Sequence, residues 1–354
     1  MVYMNKKVAL ISDTHFGVHR GNEIYLESQV RFLRDQFVPY LKEHEIHTIF
    51  MLGDLFDNRQ AINIKVKNIV FDLFNDILKD FTIHIIVGNH DIYLKNTVAI
   101  NSLKFLTLFP NVEVYEDIKL LEIHDRKILM VPWQVDNLEF RNRVANKNIH
   151  CDVCMGHFEV VGFKMTSSNS DACSLGLPSS VLFENYSLTF SGHFHHRSMK
   201  TLNGSVVQYI GNPYHLTRHD IGEDRGFCIL DLEDLKYEFV SNTESLRYVS
   251  IDYPNEFNES DIKGNVVDVN VIYDEEYNED AVQKYLNKIE KMKPAFSPNL
   301  KITNNFQTTS TVEYKQQTIL ELFKEYVESI NTISNKEEIY TLLVEVYNNC
   351  KSVN

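Results

Sequence analysis

Short apolar runs alternate with amphipathic stretches through the first ninety residues. Lys6-Lys7-Val8-Ala9-Leu10-Ile11-Ser12-Asp13 predicts a first strand that ends on a carboxylate, with His15 two positions on. Residues 24–44 carry Leu26, Val30, Leu33, Phe37 and Leu41 at helical spacing. Ile46-His47-Thr48-Ile49-Phe50-Met51-Leu52 predicts a second strand closing on Gly53-Asp54. Val66, Ile69, Val70, Leu73 and Ile77 predict a second helix. The β-branched run Thr82-Ile83-His84-Ile85-Ile86-Val87 then predicts a buried strand that ends on Gly88-Asn89-His90-Asp91. Strand, helix, strand, helix, strand is the order of an α/β domain with parallel pairing, in which ligands gather outside the carboxyl ends of the strands. Asp13, Asp54 and Asn89 therefore share one mouth.

Past residue 111 the pattern shifts to short strands, at 112–116, 118–123, 127–132, 149–155, 186–191 and 206–210. Two of them run into Gly156-His157 and Gly192-His193-Phe194-His195. A β-rich half stacked on the first predicts a two-sheet β-sandwich flanked by helices, with all functional strand ends facing one way. Strands at 226–232, 235–240, 247–253 and 265–273, a helix at 279–293 and a strand at Leu300-Lys301-Ile302 predict a small α+β domain. The expected divisions are 1–222, 223–302, an Asn/Thr/Gln-rich linker at 303–317 and a helical segment at 318–354. Two amphipathic helices fit that segment, roughly 315–330 and 336–349, with Asn335 and Glu338 at capping-box spacing for the second.

Composition narrows the class. At 354 residues, with 44% hydrophobic and 24% charged positions, the chain has the make-up of a globular protein rather than a disordered one. No apolar run approaches the ~20 residues that cross a bilayer, so no membrane association is expected. The first residues lead straight into a strand without a cleavable signal, and five cysteines lack regular spacing. Both features predict a reduced, cytoplasmic protein. The net charge of −14 is uneven: residues 1–220 hold 22 basic against 24 acidic residues, and residues 221–354 hold 13 against 25. A stand-alone nucleic-acid binder carries a basic footprint, and this chain has none overall. Either the substrate is not nucleic acid, or bound cations and a partner supply the positive charge.

The strand-end groups are Asp13, His15, Asp54, Asn89, His90, His157, His193 and His195. Mixed nitrogen and oxygen donors without thiolate favour Mn²⁺, Fe²⁺, Zn²⁺ or Mg²⁺, and several histidines weigh against Ca²⁺ or Mg²⁺ alone. With His90 set aside, seven ligands are too many for one ion. With Asp54 shared they give each of two ions four protein ligands. Such a pair, ~3.5–4 Å apart, activates a bridging water for in-line attack at phosphorus.

Asp13-x-His15, Gly53-Asp54, Gly88-Asn89-His90-Asp91, Gly156-His157 and Gly192-His193-x-His195 together resemble the motif series of the calcineurin-like metallophosphoesterases. Gly53-Asp54-Leu55-Phe56-Asp57 and Tyr209-Ile210-Gly211-Asn212-Pro213 are similar to the SbcD/Mre double-strand-break repair nucleases. Gly156 to Phe163 and Asn111 to Tyr115 are similar to their T-even phage members. The resemblance implies a metal site of Asp13, His15, Asp54 and His195, and a second of Asp54, Asn89, His157 and His193. It implies that His90 contacts the scissile phosphate and helps the leaving oxygen depart, with Asp91 orienting His90. It further implies two Mn²⁺ ions, with Mg²⁺ or another divalent ion as alternatives. The implied activities are 3′–5′ exonuclease action on duplex DNA and endonuclease action on single strands. The implied partners are DNA, a second copy of the chain joined through residues 62–79 and 97–108, and an SbcC/Rad-type ATPase docked on the C-terminal helices. Asp57 replaces a histidine common in relatives, and His196 is an extra histidine beside the last motif.

Other features read more plainly. Cys151 and Cys154 would point to opposite faces of a strand and have no second pair, which favours a structural role. His44, His47, His84, His124 and His150 read as ordinary surface or core residues. Arg59 is a candidate phosphate contact beside a solvated-loop reading, and Tyr214 and His215 are candidates for the cleft wall. Two other functions stay open: a metallophosphatase or phosphodiesterase acting alone on a small phosphoester, and a catalytically silent scaffold for the ATPase.

Overall fold

The computed structural model describes residues 5–147, 149–165, 171–275, 277–304, 319–329 and 335–351. Two six-stranded sheets form the body. The first has the order β12-β11-β1-β2-β3-β4, built from β1 (Lys7–Ile11), β2 (Thr48–Met51), β3 (Thr82–Ile86), β4 (Val112–Tyr115), β11 (Gly226–Asp231) and β12 (Tyr237–Ser241). The second has the order β5-β6-β7-β8-β10-β9, from β5 (Lys119–Ile123), β6 (Arg126–Val131), β7 (Val153–His157), β8 (Leu188–Gly192), β9 (Ser198–Leu202) and β10 (Ser205–Tyr209). The expected sandwich is present, and β1, β2, β3 and β4 run parallel, as do β6, β7 and β8.

Strand alternation explains the layering. Val8 and Leu10 of β1 face the space between the sheets with Phe50, Leu52, Ile86, Met130, Met155 and Phe190. Ala9 and Ile11 face the opposite way, onto Leu26, Phe32, Phe37, Val70 and Phe74 of the covering helices. The first covering helix, Glu23–Phe32, widens into a π-turn at Leu33–Phe37 before it resumes as Val38–Glu43. Pro39 has no N–H to give the carbonyl four residues back, so the regular ladder breaks there.

The strands expected at 226–232 and 235–240 sit in the first sheet as β11 and β12, not in the smaller layer. Their place depends on antiparallel pairing of β11 with β1, Lys7 opposite Asp231 and Leu10 opposite Cys228, which no local pattern reveals. The smaller layer starts at β13 (Tyr248–Asp252), parallel to β14 (Val266–Tyr273), with β15 (Asn299–Asn304) beyond and the helix Glu279–Lys291 on it. Its core is Ile251, Ile262, Val267, Val269, Val271, Val282 and Ile289. Arg218 ties the body to this layer through bonds of 2.8 and 3.0 Å to buried Asp268 on β14.

Met1–Thr303 forms one compact unit and Asn304–Asn354 another. In the second unit the helices Ile319–Ser329 and Lys336–Lys351 pack Phe323 edge-on against Tyr347. Residues 305–317 of the expected linker lie outside the described residues. No helix among the described residues is long and apolar enough to cross a membrane.

The inter-sheet core makes a direct prediction. Phe190 is fully buried there, so Phe190→Ala is expected to cost ~3–5 kcal/mol. Urea unfolding reads that loss as a lower midpoint at unchanged slope; a loss below about 1 kcal/mol would mean the sheets do not meet at this side chain.

Candidate metal centre

The loops that leave β1 and β2 continue to pair after the strands end. Asp13 N–H donates to Gly53 O at 3.1 Å, His15 N–H to Asp54 O at 3.1 Å and Phe16 N–H to Leu55 O at 2.8 Å. These bonds hold Asp13, His15 and Asp54 at φ of 53°, 43° and 54°, and His193 stands at 88°. Left-handed backbone at non-glycine residues costs of order 1–3 kcal/mol each and persists only where surroundings impose it. Four such residues converge on one point.

Asp91 imposes much of that shape. Its carboxylate is buried and accepts N–H groups from Gly88 (2.9 Å), Asp54 (2.9 Å), Leu55 (3.1 Å) and Phe56 (3.4 Å). The sequence leads to the expectation that Asp91 orients His90, but the lone pairs of its carboxylate are taken up by main-chain N–H groups of the loops after β2 and β3. His90 is held instead by the Asp57 carbonyl, to which its Nδ1–H donates at 2.6 Å. Asp91 is thus a positioning residue for Asp54. Burial and the neighbouring Asp54 charge push its carboxyl up to about 7.

Asp54 is the hub. Its Oδ1 accepts the His90 N–H at 2.7 Å, while Oδ2 lies 3.7 Å from His15 Nε2 and 3.4 Å from His157 Nε2. On one side, Asp13, His15 and His195 bring donor atoms within 4.8 Å of one another, with the Nε2 atoms of His15 and His195 3.1 Å apart. On the other, Asp54, His157 and His193 do the same. Asn89 Oδ1 stands between the last two rings, 2.9 Å from His157 Nε2 and 2.8 Å from His193 Nδ1. All seven expected ligand residues are brought together, and His90 joins His15 and Asp54 in a third cluster.

The donor chemistry fits cations. His157 Nδ1–H donates to Leu52 O at 2.7 Å, so in a neutral ring Nε2 carries a lone pair. That lone pair faces two more acceptors, Asn89 Oδ1 and Asp54 Oδ2. Three acceptors aimed at one point need a proton or a metal ion between them. Burial opposes a charge on His157, but Asp54 and Asp13 outweigh it and push the ring up to about 9. Burial together with the His157 charge lowers His193 to about 3, and its Nε2 is buried without a partner among the described residues. Burial likewise pulls His15 well below its ordinary value.

The remaining candidates separate. Arg59 is half-buried on the loop after Asp57, with no hydrogen bond or ion pair among the described residues. Tyr214 is buried, not on the cleft wall: its hydroxyl donates to Thr14 O beneath the first loop, and His215 bonds to Glu223 O. His196 faces Glu223 at 3.1 Å. His84 bonds to the Tyr115 hydroxyl, and Cys151 and Cys154 are unpaired thiols. Three contributors had no sequence signal. Trp133 sets its ring 5.0 Å from His193. The buried guanidinium of Arg225, paired with Asp220, donates to the carbonyl of His195. Asp57 grips His90 through its main chain, which no side-chain motif encodes.

Residues 6–197 match the profile of the calcineurin-like phosphoesterases. The chain is 29% identical over 335 residues to exonuclease subunit 1 of Enterobacteria phage T4, spanning 94% of this chain and 95% of that one. A solved archaeal phosphodiesterase aligns with 66% of this chain and 99% of its own at 16% identity, with a TM-score of 0.36.

Two predictions concern metal binding. Trp133 is the chain's single tryptophan, so Mn²⁺ bound beside His193 is expected to quench its emission, and Asp54→Ala to abolish the saturable part; equal quenching in both proteins would place the ion elsewhere. With its ring pushed up by Asp54 and Asp13, His157 is expected to hold a proton at neutral pH in the metal-free chain, and a ligand ring must shed it. Apparent Mn²⁺ affinity therefore rises from pH 7 towards about 9, with about one proton released per protein at pH 7.5. Calorimetry in buffers of different ionisation enthalpy measures that release; none would contradict the assignment.

Proposed function

The chain belongs to the calcineurin-like phosphoesterases, hydrolases of phosphoester bonds, and on that footing we propose that it is a Mn²⁺-dependent deoxyribonuclease. The observation that carries this reading is the full-length likeness to an exonuclease subunit, joined to a complete set of donor residues at one mouth. Its actions would be 3′–5′ exonuclease cleavage of duplex DNA and endonuclease cleavage of single strands, in recombination and repair in the cytoplasm, that of the host if the chain is phage-encoded. Asp13, His15, Asp54 and His195 would hold one ion, and Asp54, Asn89, His157 and His193 the other.

Divalent ions held there supply an acidified water and positive charge for the phosphate oxygens. The protein does the rest. Asp54 is fixed by the His90 N–H and keeps Oδ2 turned to both clusters. His90 commits Nδ1–H to the Asp57 carbonyl, which leaves Nε2 to exchange a proton. Protonated, that nitrogen donates to the departing oxygen.

The subunit name of the T4 relative supports a larger assembly. The two C-terminal helices form their own compact unit with Tyr326 and Leu342 exposed, which supports docking of an SbcC/Rad-type ATPase. Exposed Ile64 and Phe71 on the helix Ile64–Asp72, and Leu108 ending the helical turns Ser102–Leu108, support a homodimer through these segments. Arg59 remains the candidate for a phosphate contact.

End-labelled duplex DNA is expected to be shortened with Mn²⁺ present and spared with chelator; no Mn²⁺-dependent product, with or without the ATPase, overturns the nuclease reading. His90→Asn is expected to lower kcat about 10²–10⁴-fold while Mn²⁺ binding persists, and an unchanged kcat would remove His90 from the reaction.

A further inference from the structure

We infer that Asp57 is a positioning residue that fixes the tautomers of two histidines at once, His15 through its carboxylate and His90 through its carbonyl. The inference rests on the two-ion reading of the site. For His15 to offer Nε2 to a cation, its ring proton must sit on Nδ1. That Nδ1 is buried and has no hydrogen-bond partner among the described residues. A buried N–H left without an acceptor is costly, and nearly all such groups find one. Asp57 Oδ1 stands 3.6 Å from it, just outside hydrogen-bond range, on a side chain about one-third exposed, and is the carboxylate placed to accept from it. A carboxylate behind the far nitrogen of a ligand histidine both orients the ring and makes it a better donor.

The same residue acts on the other side of the loop. Its carbonyl accepts the His90 Nδ1–H at 2.6 Å, leaving Nε2 as the nitrogen that trades protons. The two rings meet edge-on with centroids 4.8 Å apart, so one residue sets both the ligand and its neighbouring acid. The backbone anchors Asp57 between them, because its N–H donates to Phe16 O at 3.1 Å, one residue past His15.

Substitution separates the two roles, because only the side chain changes. In Asp57→Asn the charge that holds the proton on Nδ1 is lost and the amide offers that nitrogen an N–H donor as well as an oxygen, so the tautomer with the proton on Nε2, which cannot ligate, gains weight. Asp57→Ala removes the acceptor altogether. Long-range ¹H–¹⁵N spectra of the metal-free full chain read both rings. In the wild type, His15 and His90 are expected to carry their protons on Nδ1. In Asp57→Asn, His15 is expected to switch while His90 keeps its tautomer, which also reports an intact loop. Calorimetric titration with Mn²⁺ is expected to show binding weakened about 10–100-fold in Asp57→Asn and Asp57→Ala, with Asp57→Glu restoring part of it. An unchanged His15 tautomer, or a switched one with unchanged Mn²⁺ affinity, overturns the inference. Neither readout involves DNA, so a failure of the nuclease assignment leaves this result standing, and the reverse holds too.

Discussion

Two carboxylates buried among imidazoles set the terms for this molecule. Asp13 and Asp54 are almost wholly removed from solvent, and among the described residues their ion pairs run only to histidines. Taking a carboxylate out of water costs several kcal/mol, which a lysine or arginine beside it would ordinarily offset. Here the compensating charge must come from protons on the rings or from cations between them. The rings cannot all be charged at once: His157 is driven up while His193 and His15 are driven down by burial and by one another. A site that frustrates its own protonation is a site suited to metal ions.

The fold holds that arrangement under strain. Parallel strands in two sheets deliver their carboxyl ends to one mouth, and pairing beyond the strand ends keeps Asp13, His15 and Asp54 in left-handed backbone. Glycines permit the close approach: a Cβ on Gly88 would strike Asp54, and one on Gly192 would strike Ser12 and the Leu52 carbonyl. Further out, Asp91 knits four backbone N–H groups into a rigid loop, and Arg225 holds the main chain of His195. The acidic balance of the chain then has a physical counterpart. A polyanionic substrate meeting a body with no surplus of lysine and arginine would need bound ions to supply the positive charge at the reaction point.

Much of this is legible in the order of residues alone. Apolar runs that stop at Gly-Asp, Gly-Asn-His or Gly-His give the strand, its end and its chemistry in one stretch, because the apolar strand and the polar residues at its end are neighbours in the chain. Residues that act through the main chain are invisible to such patterns. Asp57 works by a carbonyl, Asp91 by gathering backbone amides, and Arg225 by reaching His195 from thirty residues downstream. The pairing of β11 with β1 joins segments more than two hundred residues apart, so its strands read locally like those of the smaller layer that follows. Long-range pairing and backbone contacts are where sequence patterns lose their information.

The central claim is that Asp54 stands between two ions. Anomalous diffraction at the manganese edge from crystals soaked in Mn²⁺ tests it most directly. The account predicts two peaks, ~3.5–4 Å apart, one against Asp13, His15 and His195, the other against Asn89, His157 and His193, with the Asp54 carboxylate touching both. A single peak, or a pair that leaves Asp54 uncoordinated, would contradict it.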